Sequence, residues 1–403
     1  GFKFERNDKK YIKQIIGCEK HLSAKQKDSD YANRNLITIT NGVTHGIFAT
    51  LHALCPRPVL SPEPGFMLYD MCMTAATNRH VIQIPCNEKD GYKMSLRAFE
   101  KEARPGRVLI MNSPCNPTGA VYEPDELEKI AKIAKEKEMI IIADDIYSTF
   151  TYEKEFRSLY DILPDQTILL NGFSKGAAMP NIRIGYILRS RNFNNFVVEK
   201  CKVNKGFSVD LSAFCMSAGV SNPSQQFAIT FMKDYLWHNH YHKWVEPVML
   251  TPYNKARKKL REGLEKFRKH GIFTYGLEGA FYAFLNIEGF FKKYRKGMGI
   301  ILREQFDKYP DVTEKEFHIN LKDERTNIKK CEYYKENKQK LQRDILFAMS
   351  NLLHAKTVTI PGTDFYMTPD DTHIRLAYPP SEDKIIEYME RLENLVTDVA
   401  SKN

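Results

Sequence analysis

The sequence predicts an α/β protein with a mostly parallel central sheet that is covered by helices on both faces. From residue 35 to about residue 190, short apolar runs alternate with longer segments of helical periodicity. The apolar runs of strand length are Leu36–Ile39, Val59–Leu60, Val81–Ile84, Val108–Met111, Met139–Ile142, Ile168–Leu170 and Ile184–Leu188. Short strands that alternate with amphipathic helices are typical of a parallel sheet buried on both faces.

The segment Pro124–Ala134 predicts one of the covering helices. Its apolar residues recur at helical spacing, at Leu127, Ile130, Ala131 and Ala134. Pro124 and the acidic residues that follow it suit the first turn of a helix, where proline needs no hydrogen-bond donor and negative charge is favourable.

The order of the predicted elements divides the chain into three regions. We expect residues 1–34 to form a helical lead-in, residues 35–245 a large ligand-binding domain, and residues 246–403 a smaller C-terminal α/β domain. Residues 290–345 are rich in Lys, Glu and Asn, so we expect a charged insertion there. A chain of 403 residues can form two or three domains with a substantial core.

Composition and charge narrow the classes of protein to consider. The formal net charge is +10, but lysines spread through helix-like segments such as 129–137 are typical of a solvated surface. No apolar stretch has the length of a transmembrane helix, and residues 1–10 do not resemble a signal peptide. The eight cysteines form no Cys-x-x-Cys pair, which favours free thiols. We therefore expect a cytoplasmic protein that binds neither nucleic acid nor membrane.

A histidine cluster offers an alternative chemistry. His238 and His242 share a helix face if the segment is helical, and His240 lies between them in the sequence. No acid or cysteine joins these histidines. We therefore favour a solvated, partly aromatic helix face and expect no metal site.

Lys175 and Arg183 are the first candidates for chemistry. Lys175 follows the apolar stretch Ile168–Leu170, so it is predicted at the end of a buried strand. Burial disfavours a charged ammonium, and a neutral amine is a nucleophile that can attack an aldehyde. Arg183 offers a rigid cationic fork for a phosphate, so the pair suits pyridoxal phosphate. The alternative is a surface Ser-Lys pair before an ordinary basic turn.

Further polar residues follow the neighbouring predicted strands. Asn116 follows the strand at Val108–Met111, and Asp144 and Tyr147 follow the strand at Met139–Ile142. The intervals from Asn116 to Asp144 and on to Lys175 are 28 and 31 residues. Each fits one strand–helix–strand unit of roughly 30 residues. Because ligands bind at the carboxyl ends of such strands, we expect these groups on one edge of the sheet.

A possible anion site follows the first predicted strand. Thr40-Asn-Gly-Val-Thr-His45 leads from Leu36–Ile39 into an apolar helix. The backbone amides of Val43 and Thr44 would therefore point from a helix start, which is a ready site for an anion.

Several separated stretches together resemble the pyridoxal-phosphate enzymes of fold type I, specifically the class I/II aminotransferases. The matching stretches are Thr40-Asn-Gly42, Asn112-Ser-Pro-Cys-Asn-Pro-Thr-Gly119, Asp144-Asp-Ile-Tyr147, Ser174-Lys-(x)7-Arg-Ile-Gly-Tyr186, Glu278-Gly-Ala-Phe-Tyr282, Pro361-Gly362 and Ile374-Arg-Leu376. They occur in the family's order from about residue 35 to the C-terminus. The resemblance implies the family's fold, with a large cofactor-binding domain, and a homodimer.

The resemblance also implies roles around the cofactor ring. Lys175 would hold the cofactor as an internal aldimine and then move the substrate's α-proton as general base and acid. Asp144 would pair with the protonated pyridine nitrogen, which keeps the ring electron-withdrawing. Asn116 and Tyr147 would bond the phenolic oxygen of the ring, and Phe66 would stack on its face.

The remaining implied roles concern the phosphate and the substrate. The phosphate would be held by Arg183, by Ser174 and by the amides near Gly42, Val43 and Thr44. Arg375 would bind the substrate's α-carboxylate through a bidentate pair, with Asn116 beside it.

The sequence departs from the family pattern in three places. Gly172 stands where the family usually has a serine, and Cys115 replaces a commoner asparagine. Typical members also carry an N-terminal arm, a glycine-containing substrate loop and a tyrosine that reaches the phosphate of the neighbouring subunit. We find no counterpart of these segments before the first matched strand. We therefore expect incomplete closure over the substrate and a lower turnover rate.

The expected function is pyridoxal-phosphate-dependent transfer of an amino group between an amino acid and a 2-oxo acid. A lyase, decarboxylase or racemase would use the same first steps, so the motifs leave that alternative open. A binding protein with little catalysis is a second alternative. The side chain of the substrate cannot be read from these motifs.

Overall fold

The computed structural model of the protein describes residues 35–203, 206–237, 241–308, 347–348, 350–352, 354–365 and 372–403. The predictions for residues 1–34, for His238 and His240, and for residues 309–345 of the expected insertion lie outside these ranges. The chain forms two compact units. The larger contains Gly1–Thr251 and Glu278–Ala280, and the smaller contains Pro252–Leu277 and Phe281–Asn403. The domain limits expected from the sequence remain a prediction.

The larger unit is built on an eight-stranded sheet. Its strands are β1 (Asn35–Thr40), β2 (Val59–Glu63), β3 (Ile82–Asn87), β4 (Lys93–Met94), β5 (Val108–Asn112), β6 (Ile140–Asp144), β7 (Thr167–Gly172) and β8 (Gly185–Ser190). The seven predicted apolar runs overlap seven of these strands, with starts that differ by at most one residue, and no run predicted β4.

The described helices of the larger unit lie between these strands and after the last of them. They are α1 (Val43–Leu54), α2 (Leu68–Thr77), α3 (Leu96–Glu102), α4 (Pro124–Glu136), α5 (Leu159–Ile162), α6 (Phe173–Gly176), α7 (Arg191–Glu199), α8 (Val209–Ser217) and α9 (Asn222–Trp237). A π-helical stretch follows at Tyr241–Leu250.

The strand order is β1-β8-β7-β6-β5-β2-β3-β4. The central pairs β3–β2, β2–β5, β5–β6 and β6–β7 are parallel, so the predicted mostly parallel sheet is confirmed. β8 instead runs antiparallel to both β7 and β1. The twelve residues between β7 and β8 contain only short helical turns. A parallel return needs a longer crossover, so the short connection favours the antiparallel pair.

The predicted helix at residues 124–134 is confirmed as α4, and its apolar stripe packs on the sheet. Leu127, Ile130, Ala131 and Ala134 are buried in a core that also contains residues of β5 and β6. The first turn is closed by the Glu126 side chain, which accepts the backbone N–H of Glu123 at 2.7 Å. Burial of this stripe, at about 25 cal/mol per Å² of apolar surface, is the main force that holds α4.

The smaller unit contains a three-stranded antiparallel sheet of order β10-β11-β9, with β9 at Tyr282–Asn286, β10 at Ile360–Pro361 and β11 at His373–Ala377. Its long helices are α10 (Thr251–Glu265), α11 (Glu288–Lys308) and α12 (Glu382–Ser401). α11 includes a kink at Tyr294. Its apolar residues Phe290, Met298 and Ile301 belong to the buried core of this unit. In the part of the chain that the structure describes, no helix combines the length and apolar character needed to cross a membrane.

Candidate active site

The ends of five neighbouring strands bring the predicted residues of the larger unit to one edge of the sheet. The register pairs Asn112 of β5 with Asp144 of β6, and Asp144 with Leu170 of β7. Further along, Gly185 at the start of β8 pairs with Gly172 of β7 and with Thr40 of β1. The loops and helix starts that follow these residues therefore leave the sheet at the same edge.

Asp144 is the buried acid of this edge, with 2% of its surface exposed. The Tyr69 hydroxyl donates to Oδ2 of Asp144 at 2.7 Å, and the backbone N–H of Ile146 donates to Oδ1 at 3.3 Å. Burial raises the pKa of Asp144 to about 6, although both hydrogen bonds act to lower it. The carboxyl group can therefore change its charge near neutral pH. Each of its two oxygens accepts one hydrogen bond, from a different donor.

Asn112 connects two of the predicted residues and was not itself given a role from the sequence. Its Nδ2 donates to the backbone oxygen of Asp144 at 2.7 Å, and its Oδ1 accepts the backbone N–H of Asn116 at 2.8 Å. Both bonds are buried, so they are stronger and more costly to lose than surface bonds. The one signal in the sequence was its place at the start of the Asn112–Gly119 motif.

Lys175 lies in the short helix α6, directly after the end of β7. Its ammonium nitrogen lies 5.7 Å from the ring centroid of Tyr147, which is 4% exposed. Lys175 and Ser174 are both half-buried. The structure therefore brings the predicted amine and the predicted phenol together, with the predicted serine one residue away in the same helix.

The departure at Gly172 has a structural reason. A Cβ at this position would lie 2.8 Å from the backbone oxygen of Ile184 and 2.9 Å from Cα of Gly185. β7 and β8 approach so closely here that a serine would force the backbones apart. Gly172 therefore allows the close approach of β7 and β8, and this approach positions Lys175 after β7 and Arg183 before β8.

The start of α1 forms a cup for an anion. Gly42 has φ of +81° and no side chain caps the helix, so the first amides of α1 have no side-chain acceptor. The guanidinium of Arg183 lies beside this turn, donating to the backbone oxygen of Asn41 at 3.3 Å and to that of Pro180 at 2.7 Å. A Cβ at Gly42 would collide with Nη2 of Arg183. Gly42, Val43, Thr44 and Arg183 therefore form one positively polarised cup.

His45 supports this cup. The backbone N–H of Asn41 donates to Nδ1 of His45 at 3.0 Å, so Nδ1 carries no proton in this arrangement. Nε2 lies 3.2 Å from the backbone oxygen of Ala213, to which it then donates. Burial lowers the pKa of His45, which favours this neutral form.

Phe66 and Tyr69 line a recess beside Asp144. Their rings meet edge to face, with centroids 5.6 Å apart. The recess is also lined by residues of β2, β5 and the loops that follow them, and by Tyr92 from the connection between β3 and β4; the other lining residues are Ser61, Pro62, Pro64, Gly65, Asn112, Cys115 and Tyr122. The sequence pointed to Phe66 but not to Tyr69. Nothing in the sequence around Tyr69 indicates that its hydroxyl bonds to Asp144.

The Glu278–Tyr282 motif begins in the larger unit. The Glu278 carboxylate accepts the backbone N–H of Val121 at 3.0 Å and lies 2.6 Å from Nζ of Lys154. The backbone N–H groups of Glu278 and Gly279 both donate to the backbone oxygen of Gly119. This stretch is thereby tied to the Asn-Pro-Thr-Gly loop.

Arg375 belongs to the smaller unit, where β11 carries it. Its guanidinium carbon lies 4.7 Å from the ring centroid of Tyr282 and 5.0 Å from that of Phe365. Cation–π contacts of this kind restrain the guanidinium and leave its N–H groups able to bind an anion.

Comparison with known proteins identifies relatives over most of the chain. A family model described as aminotransferase class I and II matches residues 3–383. Aspartate aminotransferase of Pyrococcus abyssi is 25% identical over 344 residues, which are 84% of this chain and 70% of that protein. A putative aminotransferase of Bacillus subtilis is 32% identical over 164 residues, which are 40% of this chain and 42% of that protein. Aromatic-amino-acid aminotransferase 2 of Thermococcus litoralis is 34% identical over 182 residues, 44% of this chain and 46% of that protein.

Solved structures share the fold. A tetra mutant of aspartate aminotransferase from Thermus thermophilus matches with a TM-score of 0.70 and 20% identity, covering 96% of this chain and 85% of that one. An aromatic aminotransferase from Pyrococcus horikoshii matches with a TM-score of 0.68 and 22% identity, covering 97% and 84%. The family model spans nearly the whole chain and the fold agrees with it. The chain therefore belongs to the aminotransferase class I and II family.

Proposed function

We propose that this protein is a pyridoxal-phosphate-dependent aminotransferase that moves an amino group between an amino acid and a 2-oxo acid. The observation that carries the proposal is the shared sheet edge, which presents a buried acid at Asp144, an amine at Lys175 and an anion cup at Gly42 and Arg183. An acid, an amine and a phosphate site are the three groups that this cofactor requires.

The residues of this edge fit pyridoxal phosphate. The uncapped start of α1 and the Arg183 guanidinium supply donors for a phosphate, and the absence of a side chain at Gly42 lets the guanidinium lie against this turn. Asp144 is an acid held by two donors, which suits a partner for a protonated ring nitrogen. Phe66 is an aromatic ring next to Tyr69, in the recess beside Asp144.

The protein's own residues would then divide the work. When bound, pyridoxal phosphate supplies an aldehyde for the substrate amine and a ring that withdraws electrons from the α-carbon. Lys175 would take the proton from the substrate's α-carbon and return it at the aldehyde carbon. Asp144 would hold the proton on the ring nitrogen, and Asn116 and Tyr147 would donate to the phenolic oxygen. Phe66 would cover one face of the ring.

Binding of the anionic groups completes the proposal. Arg183, Ser174 and the amides at residues 42–44 would bind the phosphate. Arg375 would bind the α-carboxylate of the amino acid, with Asn116 as a second donor. Two of the relatives named above are an aspartate and an aromatic-amino-acid aminotransferase, so acidic and aromatic amino acids are the first substrates to test. A homodimer and a cytoplasmic location belong to the same proposal.

Covalent labelling tests the proposed function most directly. Pyridoxal phosphate is loaded, the protein is reduced with borohydride, and the modified peptide is identified by mass. We expect the label on Lys175 and its loss in Lys175→Ala, while the exposed Lys129→Ala variant keeps it. A label that persists unchanged in Lys175→Ala would show that the amine has been assigned to the wrong residue.

Product analysis separates amino transfer from the lyase, decarboxylase and racemase alternatives. Incubation of the loaded protein with amino acids should yield the matching 2-oxo acid and pyridoxamine phosphate in equal amounts. Release of ammonia or carbon dioxide, or inversion of the substrate, would favour the alternatives. Binding of pyridoxal phosphate without turnover of any amino acid would instead favour a binding protein.

A further inference from the structure

We propose that Tyr69 is a positioning residue, whose hydroxyl holds the Asp144 carboxylate charged and correctly oriented toward the pyridine nitrogen of pyridoxal phosphate. This inference rests on the proposed function. It assigns a role to a residue that neither the motifs nor the family resemblance singled out.

The contact that carries the proposal is short and enclosed. The Tyr69 hydroxyl lies 2.7 Å from Oδ2 of Asp144, and the two residues are only 1% and 2% exposed. Tyr69 lies in the first turn of α2, whereas Asp144 ends β6. The bond therefore joins two elements that are 75 residues apart in sequence. A buried hydrogen bond to a charged acceptor is stronger than one between neutral groups, and its loss leaves the charge without solvation.

The direction of the bond is fixed by the pKa values of the two groups. Burial, and then the neighbouring Asp144, raise the pKa of Tyr69 well above its ordinary value. The phenol therefore keeps its proton at pH values where Asp144 is charged, and its hydroxyl donates the hydrogen bond to the carboxylate. Burial alone would favour a neutral Asp144, and the Tyr69 hydroxyl counts first among the groups that oppose this effect.

The orientation of Asp144 depends on two donors at opposite oxygens. The backbone N–H of Ile146 reaches Oδ1 at 3.3 Å, a longer bond than the one from Tyr69 to Oδ2. Without the hydroxyl, only the longer bond would restrain the carboxylate. A carboxyl group that is neutral or rotated cannot keep a proton on the ring nitrogen, so the ring would withdraw electrons less strongly. We therefore expect the loss to appear in turnover and not in substrate binding.

Tyr69→Phe removes the hydroxyl and keeps the ring that packs on Phe66. Tyr92→Phe is the matched control, because Tyr92 is 4% exposed, lines the same recess and donates its hydroxyl to Glu88 at 3.0 Å instead. Asp144→Asn identifies the Asp144 signal and provides the background for a double variant.

The first measurement uses the protein without cofactor. Carbon-13 NMR of chains labelled at the aspartate side-chain carboxyl follows the titration of Asp144. Tyr69→Phe should raise the pKa of Asp144 by about one unit, since a stabilising donor to the charged form is lost. Tyr92→Phe should leave it unchanged. An equal titration in Tyr69→Phe and the unaltered protein would overturn the proposal.

The second measurement uses the protein loaded with pyridoxal phosphate. Tyr69→Phe should lower kcat about tenfold with KM changed less than about threefold, and should shift the proton resonance of the pyridine N–H. Adding Tyr69→Phe to Asp144→Asn should reduce kcat by less than about twofold further, because the hydroxyl acts through the carboxylate. Equal losses in both backgrounds, or an unshifted resonance, would overturn the inference.

Failure of the proposed function would look different. If the unaltered protein acquires no reducible label on Lys175, the function itself is wrong, and the role of Tyr69 toward the ring is wrong with it. If the unaltered protein is labelled and turns over amino acids while Tyr69→Phe has the same kcat and the same titration of Asp144, only the inference about Tyr69 is wrong.

Discussion

The Asp144 side chain combines nearly complete burial with a role that requires charge. A carboxylate removed from water is destabilised, and this raises the pKa of Asp144 to about 6. Two hydrogen bonds, from Tyr69 and from the backbone of Ile146, recover part of the lost solvation. The cofactor's ring nitrogen would supply the remaining charge partner.

Asp144→Asn tests this account through stability in the absence of cofactor. The folded pKa of about 6 lies above the ordinary value of 3.8. Between these two pH values the folded protein therefore binds more protons than the unfolded chain, and stability falls as pH rises. A shift of about two units corresponds to about 3 kcal/mol, fully expressed above pH 6. Asparagine does not titrate, so the variant should gain up to this amount relative to the parent between pH 4 and pH 7.

Urea unfolding at the two pH values measures this difference. The exposed Glu155→Gln variant controls for the loss of one negative charge. If the free-energy difference between Asp144→Asn and the parent were the same at pH 4 and pH 7, Asp144 would not titrate in the way its burial implies.

At the level of single residues, the sequence identified groups with distinctive chemistry and missed those that support them. Lys175 and Asp144 were proposed because an amine and an acid follow predicted strands at regular intervals, and Arg183 because its guanidinium lies close to Lys175 in the sequence. Tyr69 and Asn112 act through hydrogen bonds to residues remote in sequence, at separations of 75 and 32. No local pattern encodes such a contact, because it depends on how α2 and β5 pack around the end of β6.

The N-terminus of α1 shows how one element can make a site with backbone atoms alone. Twelve residues of helix present their first amides without a side-chain cap, and Gly42 turns the chain into the helix with a positive φ. The sequence predicted an anion site here from the strand–turn–helix order. It could not predict that Arg183 lies against the same turn, because that contact follows from the antiparallel pairing of β1 and β8.

Gly42→Ala should damage the anion cup. An alanine would be strained in the left-handed backbone conformation of this residue, and its Cβ would collide with the Arg183 guanidinium. We expect the dissociation constant for pyridoxal phosphate to rise at least tenfold, as measured by fluorescence titration of the cofactor-free protein.

Gly219→Ala is the control for backbone strain. Gly219 also has a positive φ, of +139°, but an added Cβ would meet no atom within 4 Å. Its cofactor affinity should stay within about twofold of the parent. A loss of affinity as large as that of Gly42→Ala would attribute the effect to general strain and not to the cup.

For the whole molecule, the proposed roles are divided between the two compact units. Lys175, Asp144 and Arg183 belong to the larger unit, and Arg375 belongs to the smaller. The guanidinium of Arg375 stacks over Tyr282 and Phe365, so its plane is set before any substrate arrives. A guanidinium that is already restrained in this way loses little conformational entropy when it binds a carboxylate.

Arg375→Lys should weaken substrate binding more than chemistry. Lysine keeps the positive charge but cannot form the paired hydrogen bonds of a guanidinium with a carboxylate. We expect KM for the amino acid to rise about 10- to 100-fold, with kcat lowered less. Steady-state kinetics over a range of amino-acid concentrations measures both. The exposed Arg268→Lys variant, on the surface of the same unit, should leave both constants unchanged. An unchanged KM in Arg375→Lys would remove this residue from the substrate site.

The sequence by itself determined the α/β class, seven of the eight strands of the larger sheet, the helix α4 and the family. These features are encoded locally, in apolar runs of strand length, in helical periodicity and in short motifs of fixed spacing. Only the tertiary structure decided the reversed direction of β8, the need for glycine at position 172 and the partners of Asp144. Each of these depends on the distance between backbones that are far apart in sequence, and close packing sets that distance only when the whole sheet has formed.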